Sequence, residues 1–128
     1  MAKHGRFVWN EINTRDPEAA KRFFGATLGW TFQAVPLPEG QTYWLLQADG
    51  EVVGGIFDMS DPMFDGIPEH LIAYVEVDDV DARVRKVAEA GGQVLREPWT
   101  VPGFGRIAIV RAVGGAVMGW KTTLPEAG

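Results

Sequence analysis

The sequence predicts an α+β fold in which two βαβββ modules follow one another along a single domain, residues 1–128. Strand-like and helix-like segments occur in the same order twice, and identical residues recur between the two halves at a nearly constant spacing. A chain of 128 residues with 46% hydrophobic residues fits one globular domain. Each half alone would bury too little apolar surface to be stable, so the modules are expected to share a core. The predicted boundaries are 6–59 for the first module, 60–69 for the connection and 70–123 for the second.

The first module begins with an alternating segment, residues 6–14, which is typical of a strand. Asp16 can cap the following helix, Pro17 suits its first position, and Gly29 suits its C-cap. Alternation and the Asp49-Gly50 turn signal predict three further strands. These strands cover residues 30–35, 43–48 and 52–59.

The second module repeats this order, starting with a strand at 70–77 whose one face is apolar. Asp79 is placed to cap a helix whose apolar stripe reaches Ala88 and closes on Gly91 and Gly92. Three more strands are predicted at residues 94–96, 106–112 and 116–122.

Identical residues recur at a spacing of 63 in the strand–helix part of the modules and of 64 in the closing strands. They fall at predicted caps, turns and strands, which indicates an internal repeat rather than a shared composition. Examples are Asp16 with Asp79, Gly29 with Gly92, Gly50 with Gly114, and Gly55 with Gly119.

Charge and composition exclude several functions. Twelve basic against 17 acidic residues give a net charge of −5, so neither nucleic acid nor an anionic membrane is an expected partner. The absence of cysteine excludes disulfides, thiol catalysis and thiolate metal sites. No apolar run approaches the ~18 residues of a membrane span, and no signal peptide follows Met1, so a cytoplasmic protein is expected.

Three segments carry a resemblance to a known family. They are DPEAAKRFFGATLGW at 16–30, VDDVDARV at 77–84, and GRIAIVRAVGGAV at 105–117. With the paired modules, they resemble the vicinal oxygen chelate superfamily, which includes glyoxalase I, bleomycin-resistance proteins and extradiol dioxygenases. The resemblance implies a curved mixed sheet with helices on its convex side and a homodimer. It covers nearly the whole chain but says little about activity, since this fold hosts several chemistries and simple binding proteins.

Enzymes of that family hold one divalent metal through His or Glu side chains on the first and last strands of each module. The corresponding positions here are Trp9, Ile72, Gly55 and Gly119, none of which offers a side-chain ligand. The resemblance therefore predicts a fold from which the metal site has been lost, and no cofactor is predicted.

A displaced metal site is the alternative. It would combine Glu11 and His70 with a further carboxylate, either Glu76 or Asp58. Because these residues share no register with the expected positions, the sequence favours the metal-free reading.

The metal-free reading predicts a largely apolar cleft for a small apolar or aromatic molecule. Trp9 and Ile72 would form walls, and Gly55 and Gly119 would leave side-chain space. Either Tyr43 or Trp44 should face inward, and alternation alone does not decide which. The predicted ligand-binding residues are Trp9, Glu11, Trp44, Gly55, Phe57, Ile72, Tyr74, Phe104, Arg106 and Gly119.

Two of these residues lie at a glycine-rich loop, 102–105. Phe104 between Gly103 and Gly105 could form a mobile lid. Arg106 could pair with Glu11 or bind an anion at the cleft mouth, or be a solvated surface arginine.

Glu11 is the candidate catalytic residue. An inward carboxylate in an apolar cleft could act as a general base, or accept a structural hydrogen bond from Tyr74 or a Trp N–H. Binding of a small molecule without a metal is the predicted function, and an enzyme that uses Glu11 or displaced metal ligands is the alternative. Outward-facing Trp99 and Trp120 could serve a homodimer.

Overall fold

The structure is a computed structural model that describes residues 3–124. Its elements follow the order βαβββ twice, which confirms the α+β class and the paired modules predicted from the sequence. The chain divides into two compact units. We call residues 9–72 the N-terminal unit, and the described residues 73–124 together with 3–8 the C-terminal unit.

The bounds of the elements lie within one or two residues of the prediction for most of the chain. The strands are β1 (Phe7–Thr14), β2 (Thr31–Pro36), β3 (Thr42–Ala48), β4 (Glu51–Asp58), β5 (His70–Glu76), β6 (Gln93–Val101), β7 (Gly105–Arg111) and β8 (Val117–Thr122). The α-helices are α1 (Pro17–Leu28) and α2 (Val80–Val84), and a single 3₁₀ turn (Pro62–Phe64) interrupts the predicted connection.

In the N-terminal unit the strands lie in the order β2-β3-β4-β1, with β1 and β4 parallel and the other pairs antiparallel. The predicted caps of α1 are confirmed. The carboxylate of Asp16 accepts a hydrogen bond from the Ala19 amide at 3.0 Å, and Gly29 ends the helix with φ 72°.

In the C-terminal unit the order is β5-β8-β7-β6, and β5 and β8 are parallel. Asp79 caps α2 by accepting from the Ala82 amide at 3.1 Å, which repeats the cap of α1 at a spacing of 63 residues. The core of this unit packs α2 against β7. Its buried members are Val77, Val80, Val84, Val87, Ala108 and Val110.

Two predicted elements differ from the structure. The second helix ends at Val84 instead of continuing to residue 88, because the chain then tightens into three-residue turns such as Val87 N–H to the Val84 carbonyl. Strand β6 extends to Val101, beyond the predicted residue 96. Pro98 lies within β6, which is an edge strand with irregular register, where a proline is tolerated.

None of the helices formed by residues 3–124 is long and apolar enough to cross a membrane.

Candidate functional site

One face of the N-terminal sheet carries a buried carboxylate. Glu11 on β1 is only 8% exposed, and its register partner on the parallel strand β4 is Gly55. Tyr43 reaches the same face from β3. We call this surface, which carries Glu11, Tyr43 and Gly55, the Glu11 face.

A chain of hydrogen bonds connects three side chains of the Glu11 face. The indole Nε1–H of Trp9 donates to the Tyr43 hydroxyl at 2.9 Å, and that hydroxyl donates to Glu11 Oε2 at 2.7 Å. A carboxylate removed from water requires such donors, since an unsatisfied buried charge is strongly unfavourable. The alternative role expected for Glu11, a structural hydrogen bond, is thus present, and Tyr43 is a donor.

Tyr43, not Trp44, is the residue of β3 that faces Glu11. A β-bulge between Leu46 and Gln47 shifts the pairing of β3 with β4, so that Leu45 pairs with Gly55. Without the bulge the regular hairpin would have paired Trp44 with Gly55, because a one-residue slip exchanges the two faces of a strand.

Trp44 therefore lies on the opposite face, which corrects its predicted place in the ligand site. The ammonium of Lys21 on α1 sits 3.1 Å from the centroid of the Trp44 ring. This cation–π contact holds helix α1 against strand β3, so Trp44 has a packing role.

The space expected beside Gly55 is filled. A Cβ atom at Gly55 would collide with the phenol of Tyr43, including its hydroxyl group. Phe57, two residues further along β4, packs edge-to-face on Phe64 with ring centroids 5.4 Å apart. Trp9, Glu11 and Gly55 thus lie together on this face around Tyr43. The sequence alone had not decided between Tyr43 and Trp44 for this place.

The C-terminal unit repeats this feature. Tyr74 on β5 is paired in register with Gly119 on β8, and a Cβ at Gly119 would lie 2.5 Å from Tyr74 Cδ2. The ring of Phe104 meets Tyr74 edge-to-face at 5.9 Å. We call this surface, which carries Tyr74, Phe104 and Gly119, the Tyr74 face.

The two modules therefore place an aromatic ring over each glycine that corresponds to a metal-ligand position. The expectation that Gly55 and Gly119 leave open space is wrong, because each glycine admits the close approach of a tyrosine instead.

Arg106 does not lie on the Tyr74 face. Its guanidinium donates to both carboxylate oxygens of Asp81 on the α2 side of the unit, at 2.6 and 2.9 Å. This hydrogen bonding lowers the pKa of Asp81, despite some opposing desolvation. The predicted roles of Arg106 as partner of Glu11 or as an anion clamp are thus corrected to a helix–strand ion pair.

The predicted lid at 102–105 forms the turn of the β6–β7 hairpin. The Phe104 amide donates to the Val101 carbonyl at 3.0 Å, which closes the turn. Phe104 itself packs on Tyr74, as described above.

Ile72 is buried, with 4% of its surface exposed. The residues suggested for a displaced metal have other partners. His70 is exposed with Nδ1 2.7 Å from the Pro68 carbonyl, Asp58 accepts from the Ser60 amide, and Glu76 accepts two hydrogen bonds from Thr123. In the part of the chain that the structure describes, no three His, Asp or Glu residues are grouped to hold a metal ion.

Sequence reasoning missed Arg96, whose guanidinium carbon lies 3.6 Å from the centroid of the Trp99 ring. An arginine three residues before a tryptophan on a predicted strand end was the available signal. Trp120, expected to face outward, instead packs partly buried against the core of the C-terminal unit.

A separate cleft of about 640 Å³ lies on the α1 side of the N-terminal unit. Its walls include Phe23 and Phe24 of α1, with Glu69 and Leu71 beyond them. Trp9, Tyr43 and Glu11, which form the hydrogen-bonded chain, do not line this cleft. The cleft is therefore distinct from the Glu11 face.

The family model of the glyoxalase/bleomycin resistance protein/dioxygenase superfamily matches residues 6–117. The chain belongs to this superfamily. The match covers both modules and includes every residue predicted for the site except Gly119.

Two curated proteins are similar to this chain over most of its length. The Mycobacterium tuberculosis protein named "Putative glyoxylase CFP32" is 37% identical over 122 residues, which are 95% of this chain and 46% of that protein. The anthracycline biosynthesis protein DnrV of Streptomyces peucetius is 28% identical over 134 residues, covering 95% of this chain and 49% of that protein. The chain thus spans about half the length of these relatives.

Among solved structures, methylmalonyl-CoA epimerase from Mycobacterium tuberculosis matches with a TM-score of 0.62. The match covers 98% of this chain and 94% of the epimerase at 17% sequence identity. At that identity the likeness concerns the superfamily fold alone.

The divalent metal that the superfamily implies does not fit the residues present. Two of the four carried-over positions are glycines covered by tyrosine rings, and the other two are Trp9 and Ile72. Neither an indole nor an aliphatic side chain donates an electron pair to a metal.

Proposed function

We propose that this superfamily member binds a small apolar or aromatic molecule without a metal. The observation that carries the proposal is the pair of aromatic rings over Gly55 and Gly119, where metal ligands are expected. The rings of Tyr43 and Tyr74 replace possible donor atoms with flat, largely apolar surface.

The polar groups on the Glu11 face support selective rather than purely hydrophobic binding. Glu11 and Tyr43 offer an acceptor and a hydroxyl within a surface that otherwise includes Trp9 and Phe57. A few fixed polar groups among aromatic side chains are typical of small-molecule sites. The Streptomyces peucetius relative acts in anthracycline biosynthesis, and anthracyclines contain fused aromatic rings, which is compatible with an aromatic ligand.

Thermal denaturation across a library of hydrophobic and aromatic compounds tests this proposal. We expect at least one compound to raise the midpoint, equally in buffer with chelator and in buffer with divalent metal, because binding to the native state alone raises stability. A flat response across the library would overturn the binding proposal. The proposal that binding needs no metal would be overturned by two results together. These are stoichiometric metal in protein purified without chelator, and ligand binding that requires this metal.

A second candidate function is proton abstraction by Glu11. The observation that favours it is the 2.7 Å hydrogen bond from Tyr43 to Glu11, backed by the Trp9 indole, which positions the carboxylate. A fixed carboxylate near apolar surface can act as a general base, and the basicity depends on what donates to it.

Solvent deuterium incorporation into a panel of carbonyl compounds and thioesters tests the second candidate. If Glu11 is the base, Glu11→Gln abolishes exchange at the carbon next to the carbonyl, whereas Glu51→Gln, at an exposed position, leaves it intact. Exchange that survives Glu11→Gln would remove the catalytic role. A cytoplasmic location and a homodimer stay predictions from the sequence.

A further inference from the structure

Arg96 is placed by an irregular part of the edge strand β6. The pairing of β6 with β7 shifts register between Val94 and Arg96 and again between Arg96 and Trp99. Such bulges turn a side chain away from the direction that regular alternation would give it, and they are frequent beside binding sites. Arg96 itself is paired with Ile109, and Trp99 with Ile107.

The guanidinium of Arg96 is held against an aromatic plane. Its carbon is 3.6 Å from the Trp99 ring centroid, which is a close stacking contact. Stacking limits the freedom of a long side chain, so fewer conformations are lost when the guanidinium meets a ligand. Arg96 is half-buried, and this burial lowers the pKa of its guanidinium, although the group stays cationic at neutral pH.

Arg96 lacks the carboxylate partner that two other arginines of the same unit have. Arg83 holds Asp78 and Arg106 holds Asp81, each through two hydrogen bonds. Within residues 3–124, the guanidinium of Arg96 makes neither an ion pair nor a side-chain hydrogen bond, and it stacks on the Trp99 ring. A partly desolvated cation without a counterion keeps N–H donors that an anion from outside the chain can satisfy.

The surroundings of Arg96 indicate what that anion is attached to. Arg96 pairs with Ile109, Ile109 with Gly119, and Gly119 with Tyr74, so the four residues share the Tyr74 face of the sheet. Tyr74 in turn packs on Phe104. The cation therefore shares its face with aromatic rings. The fork of N–H donors in a guanidinium matches the two oxygens of a planar carboxylate.

We propose that Arg96, stacked on Trp99 and lying on the Tyr74 face, binds the carboxylate of a planar aromatic acid. This inference rests on the proposed function, since the aromatic body of the ligand is the molecule proposed there. The inference adds that the ligand is negatively charged and that Arg96 selects it.

Isothermal titration calorimetry with two matched probes tests the inference. The probes are 2-naphthoate and its neutral counterpart 2-naphthalenemethanol, which share the ring system and differ in the anionic group. We expect Arg96→Gln to weaken the binding of 2-naphthoate about tenfold or more, which is the effect of losing one charge-assisted hydrogen-bonded pair. The affinity for 2-naphthalenemethanol should stay unchanged. Arg111→Gln is the matched control, because it removes the same charge from the neighbouring strand, where Arg111 donates to Gln93.

A second variant guards against a folding defect. Arg96→Lys keeps the charge but not the planar fork, so its affinity for 2-naphthoate should fall between those of the wild type and Arg96→Gln. In the wild-type protein, the Arg96 Nε–H resonance, assigned by its loss in Arg96→Lys, should move on addition of 2-naphthoate and not of the alcohol.

The outcomes separate this inference from the proposed function. Equal loss of 2-naphthoate affinity in Arg96→Gln and Arg111→Gln, or no loss in either, overturns the role of Arg96 and leaves aromatic binding intact. Binding of the alcohol alone has the same meaning. Binding of 2-naphthoate through Arg96 without any binding of the alcohol supports the anion site while contradicting a purely apolar ligand. If neither probe binds, the inference fails, and the compound library then decides the proposed function on its own.

Discussion

The hydroxyl of Tyr43 donates a 2.7 Å hydrogen bond to the buried carboxylate of Glu11, and its ring covers Gly55 at the same time. One side chain thus both covers Gly55, where the family resemblance predicts a metal-ligand position, and donates a hydrogen bond to the carboxylate beside it. The Trp9 indole donates to the same hydroxyl, so the three groups form a unit.

Removing only the hydroxyl should weaken that unit. Tyr43→Phe keeps the ring over Gly55 but withdraws a donor from Glu11 and an acceptor from Trp9. We expect the free energy of unfolding in urea to fall by about 1–3 kcal/mol, since buried polar groups lose their partner. Repeating the substitution in a Glu11→Gln background should give a smaller loss, and equal losses in both backgrounds would show that the two residues are not coupled.

Adding a methyl group to Gly119, under the ring of Tyr74, should also destabilise the fold. In Gly119→Ala the new Cβ would lie 2.5 Å from the buried ring of Tyr74. We expect a loss of about 1–3 kcal/mol in unfolding free energy, the usual range for overpacking. Gly114→Ala is the control, because no atom lies within 4 Å of a Cβ there. Similar effects of the two substitutions would contradict the packing of Tyr74 on Gly119.

Asp78 should titrate well below a normal aspartate. The hydrogen bonds from Arg83 lower its pKa from 3.8 to about 2, more than desolvation raises it. Because the folded pKa is the lower one, the stabilisation from Asp78 is complete above pH 3.8 and is lost as the pH falls through about 2. Carboxyl ¹³C NMR titration should show this pKa, and Arg83→Gln should move it back toward 3.8, whereas Arg106→Gln should not. An unchanged pKa in Arg83→Gln would rule out this pair as the cause.

The amide of Asn13 offers a stabilising substitution. Asn13 is 8% exposed, and its Nδ2 has no hydrogen-bond acceptor among residues 3–124. Asn13→Leu, which is close in shape, should raise the unfolding free energy by about 1 kcal/mol, because it removes an unsatisfied buried donor. Asn10→Leu on the exposed side of β1 should change it little. A loss of stability in Asn13→Leu would indicate that the amide has a partner in solution, such as bound water.

Local signals in the sequence determined the order of the elements. The caps at Asp16 and Asp79, the turn at Asp49 and the alternation of β1 and β5 depend only on residues near each other in the chain. Their repetition was enough to predict the two modules and the superfamily. The same repeat predicted most of the residues on the Glu11 face. Glu11 pairs with Gly55 in the first module as Tyr74 pairs with Gly119 in the second.

The tertiary structure decided which side chains occupy the faces. The bulge between Leu46 and Gln47 brought Tyr43 rather than Trp44 to Glu11, and no local signal marks it. Arg106 was assigned to the wrong face because its partner, Asp81, lies 25 residues away. Strand identity depends on neighbours in the chain, whereas the direction of a side chain depends on the parity of the pairing and on distant partners. The sequence therefore predicted that Gly55 and Gly119 lacked metal ligands, and only the packed structure put a tyrosine over each.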